Sequence, residues 1–193
     1  FASAAGDYSY IHLSTHGYYV GETPEGTDLK PAAFDESMSQ NGLILAGVNT
    51  ALQTDGFDLS WRDGILSARE ISQLDLSNTD VVILSACHSG QGYLTDDGVY
   101  GIQRGLKNAG VKAMIVSLWS VDDRATARLM RSFYSYLRTD DIHTAFMKAR
   151  NDLINADNQE VRRFDPARLA ASKASNMFDK PQYYDAFILI DIF

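Results

Sequence analysis

The sequence predicts an α/β fold in which helices cover a mostly parallel sheet. Two observations lead to this prediction. Short apolar runs rich in β-branched residues occur at 81–84 and 111–118, as expected of strands buried on both faces of a parallel sheet. Segments with helical periodicity, such as 124–137 and 142–154, alternate with these runs. This alternation is typical of an α/β sandwich.

The bulk composition is that of a globular domain. At 193 residues, the chain is long enough for one domain with a full-sized core. Its 45% hydrophobic and 22% charged residues are ordinary proportions. The net charge of −8 argues against a nucleic-acid surface, because phosphate binding needs clustered Lys and Arg. The single cysteine, Cys87, excludes an internal disulfide and suits a reducing cytoplasm.

No targeting or membrane segment is visible in the sequence. No apolar run approaches the roughly 20 residues that a membrane span needs, and no signal peptide is visible. The chain begins with Phe1 rather than an initiator Met. We therefore expect one domain, residues 1–193, that forms the C-terminal part of a longer cytoplasmic protein and contacts neither membrane nor nucleic acid.

The first half of the chain contains three predicted strands and one short helix. A strand over residues 7–14 leads into a long loop over 18–41, which we expect to border the functional site. A short strand follows at 42–47. Ser67 and Glu70 then form a capping-box pattern at the start of a helix over 68–74, which leads to the strand at 81–84.

The second half is predicted to be mainly helical. A helix over 99–108 ends at Ala109-Gly110 and is followed by the strand at 111–118. Asp122 or Asp123 caps the helix at 124–137, and Asp141 caps the helix at 142–154. The remaining predictions are Met130 and Met147 in the core, Lys148 and Arg150 on a solvated face, a helix at 167–175 and a buried strand at 184–190.

Cys87 follows the strand at 81–84 and precedes a glycine-rich segment. This position puts the thiol at the carboxyl edge of the sheet, where open α/β folds bind their ligands. The alternative is that Cys87 is a small buried hydrophobic residue, as most lone cysteines are.

His16 occupies the matching position after the first strand. If the two strands are parallel neighbours, His16 and Cys87 emerge side by side, and the imidazole can take the thiol proton or stabilise the thiolate. The N–H groups of Gly17 and Cys87 could then point at a developing oxyanion. Of the other histidines, we interpret His12 as a packed or hydrogen-bonded strand residue and His88 as structural or cleft-lining.

His16 and Cys87 lie in two short motifs, His-Leu-Ser-Thr-His-Gly at 12–17 and Leu-Ser-Ala-Cys-His-Ser-Gly at 84–90. These motifs resemble the two catalytic motifs of the CHAT domains, which are caspase-like cysteine peptidases related to separase, metacaspases and gingipains. Further matches follow in order along most of the chain, at 97–101, 108–111, 116–123, 129–134 and 183–189.

The resemblance implies a caspase-like three-layer sandwich, with a central sheet of about six strands and helices on both faces. It implies a cysteine endopeptidase in which a dyad, Cys87 as nucleophile and His16 as its proton partner, hydrolyses a protein or peptide substrate. It also supports the oxyanion role of the Gly17 and Cys87 N–H groups. CHAT domains often follow tetratricopeptide or other sensor regions, which implies regulation in cis, as in bacterial signalling or defence.

The specificity pocket is harder to predict. Metacaspases carry an Asp two residues before the nucleophile that recognises a basic P1 residue, whereas this chain has Ser85 there. Asp122 and Asp123 could supply a carboxylate instead, which would favour Lys or Arg at P1, or one of them could be only a helix cap. Trp119 is a candidate pocket wall.

Two other classes of function compete with the peptidase. One is a catalytically silent, caspase-like module that binds protein partners. The other is a nucleotide-binding or esterase domain, which ranks last because its glycine-rich and Gly-x-Ser-x-Gly motifs are missing. We expect neither a metal nor a cofactor.

Overall fold

The structure is a computed structural model that describes residues 1–19, 38–49, 64–86, 92–95, 98–155, 178 and 180–191. The chain divides into two compact units. The first comprises Phe1–Ser120 and Ile188–Phe193, and the second comprises Val121–Phe187. A single domain over residues 1–193 stays a prediction.

The strands of the described residues are β1 (Tyr10–Leu13), β2 (His16–Tyr19), β3 (Asn41–Ile44), β4 (Ile65–Ser67), β5 (Val81–Leu84), β6 (Gly92–Thr95), β7 (Gly98–Gly101), β8 (Ala113–Ser117) and β9 (Phe187–Asp191). The helices with both ends described are α1 (Ala68–Ile71), α2 (Ile102–Asn108), α3 (Asp123–Tyr136), α4 (Ile142–Ile154) and α5 (Pro181–Tyr184). A short 3-10 helix, Ala5–Asp7, precedes β1.

The largest sheet within these residues has four strands in the order β1-β5-β8-β9. Strand β5 pairs in parallel with both β1 and β8, as the apolar sequence of its four residues predicts. Every residue of β5 and β8 is buried. An α/β fold with parallel central strands is therefore confirmed, whereas the layout of about six strands with helices on both faces stays a prediction.

Two smaller sheets accompany the four-stranded one in the part of the chain that the structure describes. Strands β2, β3 and β4 form an antiparallel sheet, and β6 and β7 form an antiparallel pair. The predicted loop over 18–41 is thus partly wrong, because Tyr18 and Tyr19 belong to β2 and Asn41 belongs to β3. Residues 20–37 of that loop lie outside the described residues.

The core of the first unit lies between the four-stranded sheet and the helices α1 and α2. Apolar side chains from these elements form one buried cluster, which includes Ile71, Val82, Leu84, Ile102 and Leu106, and Leu43 of β3 also belongs to it. Helix α1 begins as predicted, since the Ser67 hydroxyl accepts from the Glu70 N–H while the Glu70 carboxylate accepts from the Ser67 N–H. Its end at Ile71 is earlier than the predicted end at residue 74.

Helix α2 begins three residues later than the sequence predicts. Residues 98–101 are strand β7, because they pair with β6 rather than continue the helix. The buried Asn41 of β3 caps α2 although it lies 61 positions earlier in the sequence. Its Oδ1 accepts from the Ile102 N–H at 2.9 Å. The helix stops as predicted, with Gly110 at a φ of 90° that only glycine adopts readily.

The second unit is built on α3 and α4. Asp122 and Asp141 cap the two helices, and α4 has the predicted bounds. Phe133 of α3 meets Phe146 of α4 edge to face, with ring centroids 6.3 Å apart. Met130 is buried as predicted, but Met147 is 56% exposed, because it lies on the side of α4 away from Phe146 and its buried neighbours.

The start of the last strand and the surroundings of Arg150 differ from the predictions. Residues Pro181–Tyr184 form α5, so strand β9 begins at Phe187 rather than at residue 184, and only Phe187 in it is fully buried. Arg150 is not on a solvated face: its guanidinium binds the Asp185 carboxylate and donates to the Tyr184 carbonyl at 3.1 Å. The helix expected at 167–175 lies outside the described residues.

Candidate functional site

The site is organised by the pairing of β1 with β5. The two strands are parallel and in register, with Leu13 opposite Leu84 at their carboxyl ends. One residue further on, the Ser85 N–H donates to the Leu13 carbonyl at 2.9 Å. The prediction that these strands are parallel neighbours is confirmed, and the two segments that follow them leave from the same edge of the sheet.

His16 lies just past this edge, three residues beyond Leu13. It is the first residue of β2, opposite Ile44 of β3, and it is exposed. Thr15 lies in the short link between β1 and β2, and its hydroxyl donates to the Ile44 carbonyl of β3. The sequence correctly ends the first strand before His16, but it does not predict that a new antiparallel strand starts there. Gly17, opposite Leu43, is half-buried.

Cys87 and His88 lie outside the described residues, but the two residues that precede them, Ser85 and Ala86, are described. Ser85 is half-buried and Ala86 is buried. The Ala86 carbonyl accepts from the hydroxyl of Ser117, the last residue of β8. Residues 85 and 86 are therefore hydrogen-bonded on both sides, to β1 through the Ser85 N–H and to β8 through the Ser117 hydroxyl.

His12 and Ser85 are joined across the two strands. The His12 Nε2 lies 2.8 Å from the Ser85 Oγ, a hydrogen bond whose direction depends on the histidine tautomer. Part of the His12 side chain remains exposed, yet enough of it is removed from water that burial lowers its pKa below the ordinary value. The interpretation of His12 as a hydrogen-bonded strand residue is confirmed.

The structure describes the exposure and the local role of three residues proposed for the specificity pocket. Asp122 is the N-cap of α3, and its Oδ1 accepts from the N–H groups of Arg124 and Ala125 at 3.0 Å each. Asp123 is exposed in the first turn of that helix, where a negative charge is favoured by the helix dipole. Trp119 is half-buried. The capping role of Asp122 is thus confirmed, and the pocket stays a prediction.

Sequence reasoning missed Ser117. It is the last residue of an apolar strand and is fully buried, and its hydroxyl donates to the carbonyl of Ala86, two residues beyond the end of β5. The signals available in the sequence are a serine at the end of an apolar run and its place in the family match at 116–123, and neither reveals its partner.

Two further features are absent from the described residues. They contain no group of three or more His, Cys, Asp and Glu side chains that could hold a metal ion. None of the helices in the same part of the chain is both long enough and apolar enough to cross a bilayer.

The described residues define an α/β protein in which the two predicted catalytic motifs follow the carboxyl ends of the parallel strands β1 and β5. A family model, that of the CHAT domain, matches residues 1–191. The chain belongs to the CHAT domain family, which is related to the caspase-like cysteine peptidases.

One curated relative adds information on context. Tetratricopeptide repeat protein 28 of Mus musculus is 33% identical to this chain over 76 residues. The match covers 39% of this chain and 3% of that protein. The chain is thus similar to a small part of a much longer tetratricopeptide repeat protein.

Proposed function

We propose that this protein is a cysteine endopeptidase that uses Cys87 as nucleophile and His16 as its proton partner. The observation that supports it most is the in-register parallel pairing of β1 with β5. Cys87 and His16 each follow their strand by three residues, beyond Leu84 and Leu13, which face each other. Membership of the CHAT family supports the same assignment.

The reaction proceeds through a thioester. The Cys87 sulfur attacks the scissile carbonyl carbon, and the carbonyl electron pair moves onto oxygen. The Gly17 and Cys87 N–H groups stabilise that oxyanion. His16 delivers a proton to the leaving amine as the C–N bond breaks, and water then hydrolyses the thioester. The exposure of His16 suits a group that must reach a bound peptide.

The proposed specificity is for Lys or Arg at P1. Ser85 leaves the position two residues before Cys87 without a carboxylate, so Asp122 and Asp123 are the proposed source of negative charge, with Trp119 as a wall. The capping hydrogen bonds of Asp122 do not neutralise its carboxylate. The net charge of −8 also favours basic substrate segments through long-range attraction.

The proposed regulation is by a tetratricopeptide-type sensor region of the same protein. The likeness to a segment of a mouse tetratricopeptide repeat protein supports it. A cytoplasmic location and a bacterial signalling or defence role belong to the same proposal. The single cysteine is compatible with a reducing compartment.

The test combines an activity-based thiol probe with hydrolysis of a fluorogenic peptide library. Cys87→Ala should abolish both signals. His16→Ala should lower hydrolysis by about 10²- to 10⁴-fold, the usual contribution of a general acid–base group, and should slow probe labelling. His143→Ala is the matched control, because His143 is an exposed histidine on α4, and it should leave both signals unchanged.

Two results would contradict the peptidase assignment. One is hydrolysis that persists in Cys87→Ala. The other is probe labelling that is indifferent to His16 together with no hydrolysis by the wild type, which would favour the protein-binding module instead.

A further inference from the structure

Ser117 is a buried polar residue at the carboxyl edge of the sheet. It is 0% exposed, and its hydroxyl donates to the carbonyl of Ala86. Ala86 is itself 1% exposed, so this carbonyl has little access to water. A buried carbonyl without a donor costs free energy of folding. The Ser117 hydroxyl therefore favours the one orientation of the Ala86 carbonyl in which this hydrogen bond forms.

The Ala86 carbonyl shares a peptide bond with the N–H of Cys87. A peptide unit is planar, so a group that fixes the direction of its carbonyl also fixes the direction of its N–H. Hydrogen bonding to the carbonyl also polarises the amide, which strengthens the N–H as a donor. Under the proposed function, that N–H is one of the two oxyanion donors.

We propose that Ser117 is a positioning residue for oxyanion stabilisation, acting through the Ala86–Cys87 peptide unit. The inference rests on the proposed function, and it adds to that function a residue that touches neither the substrate nor the thiol. Its effect should be confined to reactions in which an oxyanion forms at the site.

Thr79 provides an internal comparison at the opposite end of β5. It is also 0% exposed, and its hydroxyl donates to the carbonyl of Tyr8 at 2.9 Å. Both hydroxyls therefore bind a backbone carbonyl of another segment at an end of the same strand. Only Ser117 does so next to the proposed nucleophile, so Thr79→Val is a matched control for Ser117→Ala.

Two reactions of the same thiol separate positioning from structural support. Attack on a peptide or a peptide aldehyde forms a C–S bond and moves the carbonyl electron pair onto oxygen, which creates an oxyanion. Alkylation by iodoacetamide forms a C–S bond and expels iodide, so that no oxyanion develops. Loss of an oxyanion donor's alignment should impair the first reaction and spare the second.

The experiment uses the full-length protein as wild type, Ser117→Ala and Thr79→Val. Ser117→Ala should lower kcat by about tenfold to hundredfold, less than the roughly 10²- to 10³-fold loss when an oxyanion donor is removed outright. It should weaken inhibition by a peptide aldehyde by a similar factor. The rate and pH profile of iodoacetamide alkylation should stay unchanged, and Thr79→Val should keep the wild-type kcat even if its melting temperature falls.

Equal losses of kcat in the two variants, or a parallel loss of alkylation in Ser117→Ala, would overturn the inference, since the hydroxyl would then be only structural. A wild-type protein without Cys87-dependent hydrolysis would overturn the proposed function itself, and this inference with it. The two failures are therefore distinguishable by the behaviour of the wild type.

Discussion

The His12 Nε2 and the Ser85 Oγ lie 2.8 Å apart and join the carboxyl end of β1 to the residue that directly follows β5. His12 is four residues before His16, and Ser85 is two residues before Cys87. The bond therefore ties together the two strands from which the proposed catalytic residues follow. Because the Ser85 hydroxyl is hydrogen-bonded to His12, it has a structural role in addition to any contact with a substrate.

The lowered pKa of His12 predicts how its contribution to stability changes with pH. Burial holds its pKa in the folded chain below the ordinary value of 6.5, so near that pH the unfolded chain binds the proton more readily. The contribution of His12 to the free energy of unfolding is therefore largest above pH 6.5. It falls as the pH drops through 6.5 and stops changing below the folded pKa.

Urea denaturation of wild type and His12→Gln at about pH 7.5 and about pH 5 checks this sign. The stability advantage of the wild type over His12→Gln should be larger at the higher pH. His143→Gln is the control, an identical replacement at an exposed histidine. An advantage that grows on acidification would show that protonated His12 gains a partner in the folded state.

The proposed P1 specificity predicts a charge effect at Asp122 and Asp123. Asp122→Asn and Asp123→Asn each remove one negative charge, and Asn still caps a helix well at position 122. Removal of the carboxylate that contacts P1 should lower kcat/KM for an Arg substrate about tenfold, which corresponds to a loss of about 1.4 kcal/mol of transition-state stabilisation. A citrulline substrate, which has a similar shape but no charge, should be affected much less.

Asp7→Asn is the control for net charge, because Asp7 is an exposed acid near the start of the chain. Steady-state kinetics with paired Arg and citrulline peptides measure the effect. Unchanged kinetics in both Asp122→Asn and Asp123→Asn, or a wild-type preference for acidic or small P1 residues, would refute the basic specificity.

The ion pair of Arg150 predicts a difference between two basic residues of α4. Arg150 binds both the Asp185 carboxylate and the Tyr184 carbonyl and is half-buried, so Arg150→Met should lower the free energy of unfolding by about 2 kcal/mol. Lys148 pairs with Asp140 at 2.7 Å but is more exposed, and Lys148→Met should cost about 0.5 kcal/mol. Urea unfolding measures both, and equal losses would contradict the structural role of Arg150.

Much of the fold follows from local sequence signals. The capping box of Ser67 and Glu70, the caps of Asp122 and Asp141, and the bounds of α4 depend on residues within a few positions of each other. The apolar run of β5 predicts a buried parallel strand for a similar reason, since a strand buried on both faces tolerates almost no polar side chain.

The features that the sequence does not predict depend on partners far along the chain. Residue 99 is in a strand and not in a helix because β7 pairs with β6, and His16 opens a strand because β2 pairs with β3. A local pattern read along one segment does not show which other segment will supply its hydrogen bonds.

The sequence by itself determined the family motifs, the strands that precede His16 and Cys87, and the local caps, because these are set by neighbouring residues. Only the tertiary structure decided that Leu13 lies opposite Leu84, that His12 meets Ser85, and that Ser117 holds the Ala86 carbonyl. Each of these contacts joins residues that are at least 31 positions apart, so it exists only after the strands have paired.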